Sequence, residues 1–407
     1  MNWRKKVIFL FMVFILPGLV FYPAGCWDRR EPNILGIVTV AAFDIDEESG
    51  LFKVYAQMDN PLGGAEQQSG NSSGGGGGRS PSWFIESHGH TIYEAIINME
   101  HVSTRRLFWS HVKAVLFSEK LARKGIRPVL DFLDRERQIR LTAKPFIVEG
   151  DLRQLLIAEF PLELEGGEAI EKHSFSVKRE TSTLSEVDSL LILFRDISTP
   201  GKEVNMPRIK VLASEEKESK KEPAGMTNPA RISGIGIFHG DKFIGFLDKR
   251  ETAGYNWLTG NMQRHNLVLK CPVHEDGYLT VEVFESSAKL TPEFKDNEVR
   301  FKATVFAGGR LQDFDSPLLP LGEDFVNSLN RRMATAIRNE IMCSLEKARK
   351  LNSDIFGFGR TIYRTKYRKW QQLENDWQNI FPNIMVDIEI NARVHRHGIV
   401  LQPIEIK

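Results

Sequence analysis

The 407-residue chain predicts a mixed α/β architecture of the α+β class, with about three domains behind an N-terminal export segment. Three observations lead there. Alternating or β-branched runs such as NILGIVTVAAFDID are interleaved with amphipathic runs such as TIYEAIINMEHV, as strands are with helices. Apolar residues make up 42% and charged residues 26%, ordinary proportions for a folded chain with a real core. Two polar interruptions, at 63–82 and 215–222, punctuate the text. The expected divisions are a leader at 1–25 and an N-terminal mixed α/β domain at 26–200. A charged linker with a small middle domain follows at 201–262, then a C-terminal α/β domain with two long helices at 263–407.

The leader comes first. Arg4, Lys5 and Lys6 precede an uncharged run from Val7 to Phe21, which ends in Ala24, Gly25 and Cys26. A basic head, an apolar middle and a small-residue exit are the pattern of a secretory signal. Pro17-Gly18 interrupts the run as a helix, which favours a cleaved leader over a membrane-spanning anchor. Ala-Gly-Cys looks like a bacterial lipobox, with Pro23 where that motif usually has Leu. Small residues there let a peptidase reach the backbone beside Cys26, the expected lipidation site. Two acyl chains give stable anchoring at ~0.8 kcal/mol per buried CH₂.

Beyond the leader, two strands flank a DEESG turn, and the glycine tract at 63–82 reads as flexible coil. It lacks the Gly-Lys-Ser/Thr of a phosphate loop. Thr91 is placed to cap a helix whose apolar face is Ile92, Ala95, Ile96 and Met99. HVKAVLFS predicts a buried strand, EKLARKGIRPVLDFLDRERQI helix on both sides of Gly125–Pro128, KPFIVEG a strand, and DLRQLLIAEF a helix capped by Asp151. After the charged linker, GIGIFHGDKFIGFL predicts a hairpin, and two longer alternating strands follow. Glu323–Leu351 is the clearest helix, with Phe325, Leu329, Met333, Ile337, Ile341, Leu345 and Ala348 on one face. TIYRTKYRKWQQLENDWQNIF predicts a second long helix with Tyr363, Tyr367, Trp370 and Trp377 on its core side, and the chain closes in strands.

Enzyme and cofactor signals are weak. GIGIFHG is off the dinucleotide spacing and sits in a hairpin. The His88/His90 and His395/His397 pairs each need a third converging ligand before they can hold a metal, and no metal is expected. Asp131, Asp134 and Glu136 share one helix with Arg135 and Arg137, which reads as a charged surface and not as facing acids across a cleft. Cys271 and Cys343 make no disulfide framework, and Cys343 reads as a small core residue. No nucleophile motif occurs. A net charge of +1 gives no argument for nucleic acid. The expectation is a non-enzyme without cofactors.

Five separate segments resemble the Ger(x)C family, the lipoprotein C subunits of GerA-type nutrient germinant receptors. They are GCWDRRE followed by NILGIVTVAAFDID; TIYEAIINME; FWSHVKAVLFSEKLARKGI with PVLDFLDRERQIR; GDKFIGFLDKRETAGYNWLTG; and SDIFGFGRTIYRTKYRKWQ with NDWQNIF. The resemblance covers nearly all of the mature chain. It implies a non-enzymatic subunit anchored at the outer face of the spore inner membrane, with integral membrane A and B subunits as partners. It also implies mixed α/β domains, about three per chain. Asp354, Phe356, Gly357 and Phe358 are expected either to dock those partners or to form a glycine-rich connection between two helices. The alternative function is a solute-binding lipoprotein serving a transporter, a class built from two doubly wound lobes around a cleft.

Overall fold

The computed structural model describes residues 3, 34–59, 82–158, 160, 163, 165–212, 230–273, 276–295, 298–314 and 322–395. The leader with Cys26, most of the glycine tract, the charged run at 215–222 and His397 lie outside the described residues.

The described residues form two sheets flanked by helices, the α+β class that the sequence predicts. In the first, β1 (Leu35–Ile45) pairs antiparallel with β2 (Phe52–Asp59), and β2 with β3 (Ser82–Gly89). On its other side β1 runs parallel to β4 (Arg106–Phe108) and β5 (Ala114–Ser118). Then come β6 (Lys144–Glu149) and β7 (Asn205–Val211), both parallel, and β8 (Ala230–His239) and β9 (Lys242–Leu247), both antiparallel. β5 is buried along its whole length, as expected of a strand covered on both faces.

Helix α1 (Ile92–Glu100) starts at Thr91, whose side chain accepts from the Glu94 N–H. With α2 (Glu119–Lys124), α3 (Arg127–Arg135) and α6 (Leu190–Ile197), it covers one face of the sheet. α4 (Leu152–Leu156) and α5 (Gly166–Thr181) cover the other. Pro128 stands in the first turn of α3, where its missing N–H costs nothing.

The second sheet has the order β10 (His265–Lys270), β11 (Tyr278–Lys295), β12 (Glu298–Phe314) and β13 (Met385–His395). Its core is closed by α7 (Lys249–Thr259) and α8 (Glu323–Lys350). The seven predicted core positions of α8 are all buried. Asp248 caps α7 in a reciprocal capping box with Glu251.

The sheet crosses the expected boundary at 200/201, because β7, β8 and β9 extend it instead of forming a separate unit. The β8–β9 hairpin ties the halves together. Phe238 and Phe243 lie in the first core, while Ile235, Ile237 and Leu247 lie in the second.

The expected second long helix is broken. Lys366, at φ −142° and ψ 56°, separates α9 (Phe358–Thr365) from α10 (Tyr367–Leu373), and a short α11 (Trp377–Ile380) follows. The aromatic face is therefore split. Trp370 and Trp377 are buried against each other, whereas Tyr367 is 54% exposed. Cys343 is half-buried on α8, nearer the surface than a core residue.

Candidate functional site

Two places gather polar side chains. The first is a cleft of about 850 Å³ at the C-terminal ends of the parallel strands. After β5 the chain turns to α2 on one face of the sheet, and after β6 it turns to α4 on the other. Adjacent strands whose connections leave to opposite faces open a crevice at their carboxyl ends, where ligands bind in open α/β sheets.

Three strands supply its floor. Asp44, near the end of β1, accepts through Oδ1 from the Ile45 N–H at 2.8 Å and from the Ser118 hydroxyl at the end of β5. Tyr55 of β2 is 4% exposed and lies tilted against Phe84, ring centroids 6.0 Å apart, yet its hydroxyl has no hydrogen-bond partner among the described residues. Burial pushes its phenol well above the ordinary range, and Glu86 and Asp44 push it further. The rim carries charges of both signs, largely paired with each other. Lys53 pairs with Asp46 at 3.1 Å, Lys120 with Glu47 at 3.4 Å and Arg123 with Glu119 at 2.5 Å. Arg153 lies 3.9 Å from Glu86 and over the Phe84 ring. Lys124 has no ion-pair partner among the described residues. Sequence reading missed this cleft, since Asp44, Tyr55 and Ser118 sit on separate strands with no motif spacing.

The second place is the junction between the halves. Lys202, its amine fully buried, donates to Asp196 at 2.7 Å and to Glu186. Asp196 also receives Arg195 at 2.8 Å and faces Arg360 at 3.5 Å. Burial alone would raise the Asp196 carboxyl, but Lys202 and Arg195 overcome it and hold the group below the usual carboxylate range. Glu186 follows the same logic. Burial would lower the Lys202 ammonium, but the Tyr255 phenol, Glu186 and Asp196 hold it above the ordinary lysine value.

Asp354 belongs to the same junction. Its carboxylate accepts from the N–H groups of Gly357 (2.9 Å), Phe358 (3.0 Å) and Gly359 (2.9 Å), and from the Trp377 indole (3.1 Å). Burial pushes it up to about 6 despite these four donors. Its own carbonyl accepts from Glu203 N–H at 2.9 Å, and Arg360 N–H donates to the Gly201 carbonyl at 2.6 Å. Gly357, at φ +74°, lets the backbone fold back onto the carboxylate.

This corrects the docking expectation for these residues. Asp354, Phe356 and Phe358 are each 3% exposed or less, and Gly357 is buried between them, so none offers a surface to a partner. The segment is the glycine-rich connection from α8 to α9. His88 and His90 bring no third ligand with them. Among the described residues no group of three His, Cys, Asp or Glu side chains is gathered as for a metal ion.

Comparison with known proteins fits this two-part plan. Residues 28–211 match the spore germination protein N-terminal domain, and residues 233–398 match the "Spore germination B3/GerAC like, C-terminal" family. Spore germination protein KC of Bacillus subtilis (strain 168) is 24% identical over 98% of this chain and 97% of its own length. Spore germination protein GerQC of Bacillus cereus is 20% identical over 97% and 99%. The crystal structure of the GerBC protein superimposes with a TM-score of 0.53 at 17% identity, over 87% of this chain and 96% of that one. At that identity the superposition shows a shared fold. With both family domains present in order along one chain whose relatives align almost end to end, the protein belongs to the Ger(x)C family of spore germination proteins.

Proposed function

We propose that this chain is the lipid-anchored C subunit of a spore nutrient germinant receptor. In this reading it acts in germination without catalysis, at the outer face of the spore inner membrane, assembled with integral membrane A and B subunits. The observation that supports it most is the end-to-end likeness to spore germination proteins. No helix among the described residues is long and apolar enough to cross a membrane; in this reading the attachment is the lipid on Cys26. β1 begins at Leu35, nine residues past Cys26, so a lipidated Cys26 holds the folded body within about 30 Å of the bilayer. At that tether length local concentration is high, and weak docking faces suffice for assembly.

The test replaces Cys26 with Ala and follows two readouts: retention in the spore inner-membrane fraction and nutrient-triggered germination. Both should fall together. Unchanged values for both would remove the anchoring role. Capture through this chain from spore membranes should bring down two multi-span proteins; recovery of the chain alone would count against the assembly. The solute-binding alternative draws less support, because the second sheet has four strands with a single parallel pair, and not a second doubly wound lobe.

A further inference from the structure

The end of the first sheet at which its parallel strands begin carries a group of uncommitted cations. Arg105 and Arg106 lead into β4, and Arg137 and Arg140 stand on the connection from α3 to β6. All four are exposed, and none is in an ion pair among the described residues. An exposed charge needs no partner, so the arrangement carries the argument. Arg106 pairs with Leu35, the first residue of β1, and the Arg105 Cβ lies 3.7 Å from where a Cβ on Gly36 would stand. The α3–β6 connection is tied beside them, because the Gln138 side-chain oxygen accepts from the Trp109 N–H at 3.5 Å, just past β4.

Apolar side chains are exposed among these cations. Ile34, 55% exposed, directly precedes β1; Val102, 68% exposed, stands on the connection from α1 to β4; Leu141, 43% exposed, follows Arg140. One such residue is ordinary on a surface, but each of these adjoins an arginine or the strand that pairs with one. The carboxylates that border the two connections, Glu100 and Glu136, each accept a backbone N–H, from Leu107 and Gln138, and are outnumbered by the arginines.

The chain itself says what lies opposite. β1 begins at this end, so this is the part of the folded body nearest along the chain to Cys26, within about 30 Å. The β1–β2 turn is at the other end of the strand, about 36 Å along its 11 residues. Guanidinium groups match phosphate geometry, and cations with apolar side chains between them are the makeup of surfaces that lie on anionic lipid. An acidic protein also suits arginines, but the tether does not deliver one to this end. We propose that this end of the first sheet docks on the bilayer, with the four arginines on the phosphates of anionic phospholipids and with Ile34, Val102 and Leu141 at the headgroup boundary. The proposal rests on the receptor reading for the tether alone: the lipid holds the body near the membrane, and this face fixes which way the body points.

The experiment reconstitutes the full chain with its own lipid into phosphatidylcholine vesicles, with and without phosphatidylglycerol. Val102→Cys, Leu141→Cys and, at the far end of β1, Glu48→Cys each carry an environment-sensitive nitrobenzoxadiazole label, read against the label that the parent chain takes up. With phosphatidylglycerol, fluorescence at 102 and 141 should rise severalfold and be quenched by brominated acyl chains, while position 48 stays as in water. High salt should reverse the rise, because these charges are exposed. Changing the four arginines together to Gln should abolish it. Labels at 102 and 141 as water-exposed as the one at 48 overturn the proposal. So does a rise indifferent to phosphatidylglycerol or to the arginines, or one that needs an added protein. The comparison of lipids uses the native arginines, so it decides the matter even if the fourfold variant fails to fold. Flotation with the vesicles reads the tether separately. A chain that floats with wet labels loses this face and keeps its anchor, and Cys26→Ala tests the anchor alone.

Discussion

The cleft and the junction use the same residue types to opposite ends. At the junction every charge has an answer: Lys202 meets two carboxylates, Asp196 meets three cations and Asp354 meets four donors. In the cleft, Asp44 keeps a free oxygen, Tyr55 a free hydroxyl and Lys124 a free amine. A satisfied buried network fixes one arrangement of two halves, whereas unsatisfied groups at an open crevice are available to a ligand. Substitutions in the first should therefore be read out in stability, and substitutions of uncommitted groups in the second should leave stability nearly unchanged.

The largest expected effect is Lys202→Ala. It strips a fully buried cation from Asp196 and Glu186, and removing one partner of a buried pair costs about 3–5 kcal/mol. Urea unfolding measures it, and a loss below about 1 kcal/mol would mean that the network is incidental to joining the halves. Gly201→Ala comes next. Gly201 sits at φ +74°, and a Cβ there would lie 2.4 Å from the carbonyl carbon of Gly359. Strain and overpacking together predict a loss of about 3 kcal/mol. Gly240→Ala is the matched control: φ is +59° but nothing lies within 4 Å, so about 1 kcal/mol is expected. Equal losses at the two positions would show that contact across the junction contributes nothing.

The junction also sets a pH signature of two signs. Folded Asp354 keeps its proton up to about pH 6, while its ordinary value is 3.8. Between those values the folded state binds the extra proton, so acidification strengthens folding through this group. The gain from pH 7 to pH 4.5 is about 2 kcal/mol. Asp196 and Glu186 are shifted the other way. Their contribution is present above the ordinary carboxylate range and is lost as pH falls through their lowered values. Asp354→Asn deletes the first behaviour and spares the second. Wild type should therefore gain about 2 kcal/mol on the variant between pH 7 and pH 4.5 in urea titrations. Parallel curves would mean that Asp354 is ionised throughout.

What the sequence disclosed follows the same division. α8 was legible residue by residue, because a long helix writes its buried face at a fixed period in a single stretch. The caps at Thr91 and Asp151 were legible because they act on N–H groups two or three residues away. α5 escaped reading: it opens with Gly166-Gly167, and of its buried positions only Ile170 is a large apolar residue. The helix expected through Lys366 failed because burial of Trp370 and Trp377 together overrode local propensity. Asp354 stood out in the sequence, but the role expected of it was a surface one. Two phenylalanines among glycines suggest exposure until Gly357 is known to turn the backbone around the carboxylate. Lys202 and the cleft residues carried no signal at all, because their partners are assembled by sheet order, which no local spacing encodes.

The smallest effect on stability makes the sharpest test of the contrast. Lys124 is exposed, ends the short helix α2 and has no ion-pair partner among the described residues. Surface changes away from such partners leave stability nearly untouched, so Lys124→Ala should move the melting temperature by no more than about 1 °C. Its neighbour Arg123, engaged with Glu119 and lying 4.9 Å over the Phe243 ring, is the comparison. Arg123→Ala removes packing as well as charge and should lower the melting temperature by about 3 °C or more. If the two variants lower the melting temperature alike, pairing state does not separate structural charge from uncommitted charge in this protein.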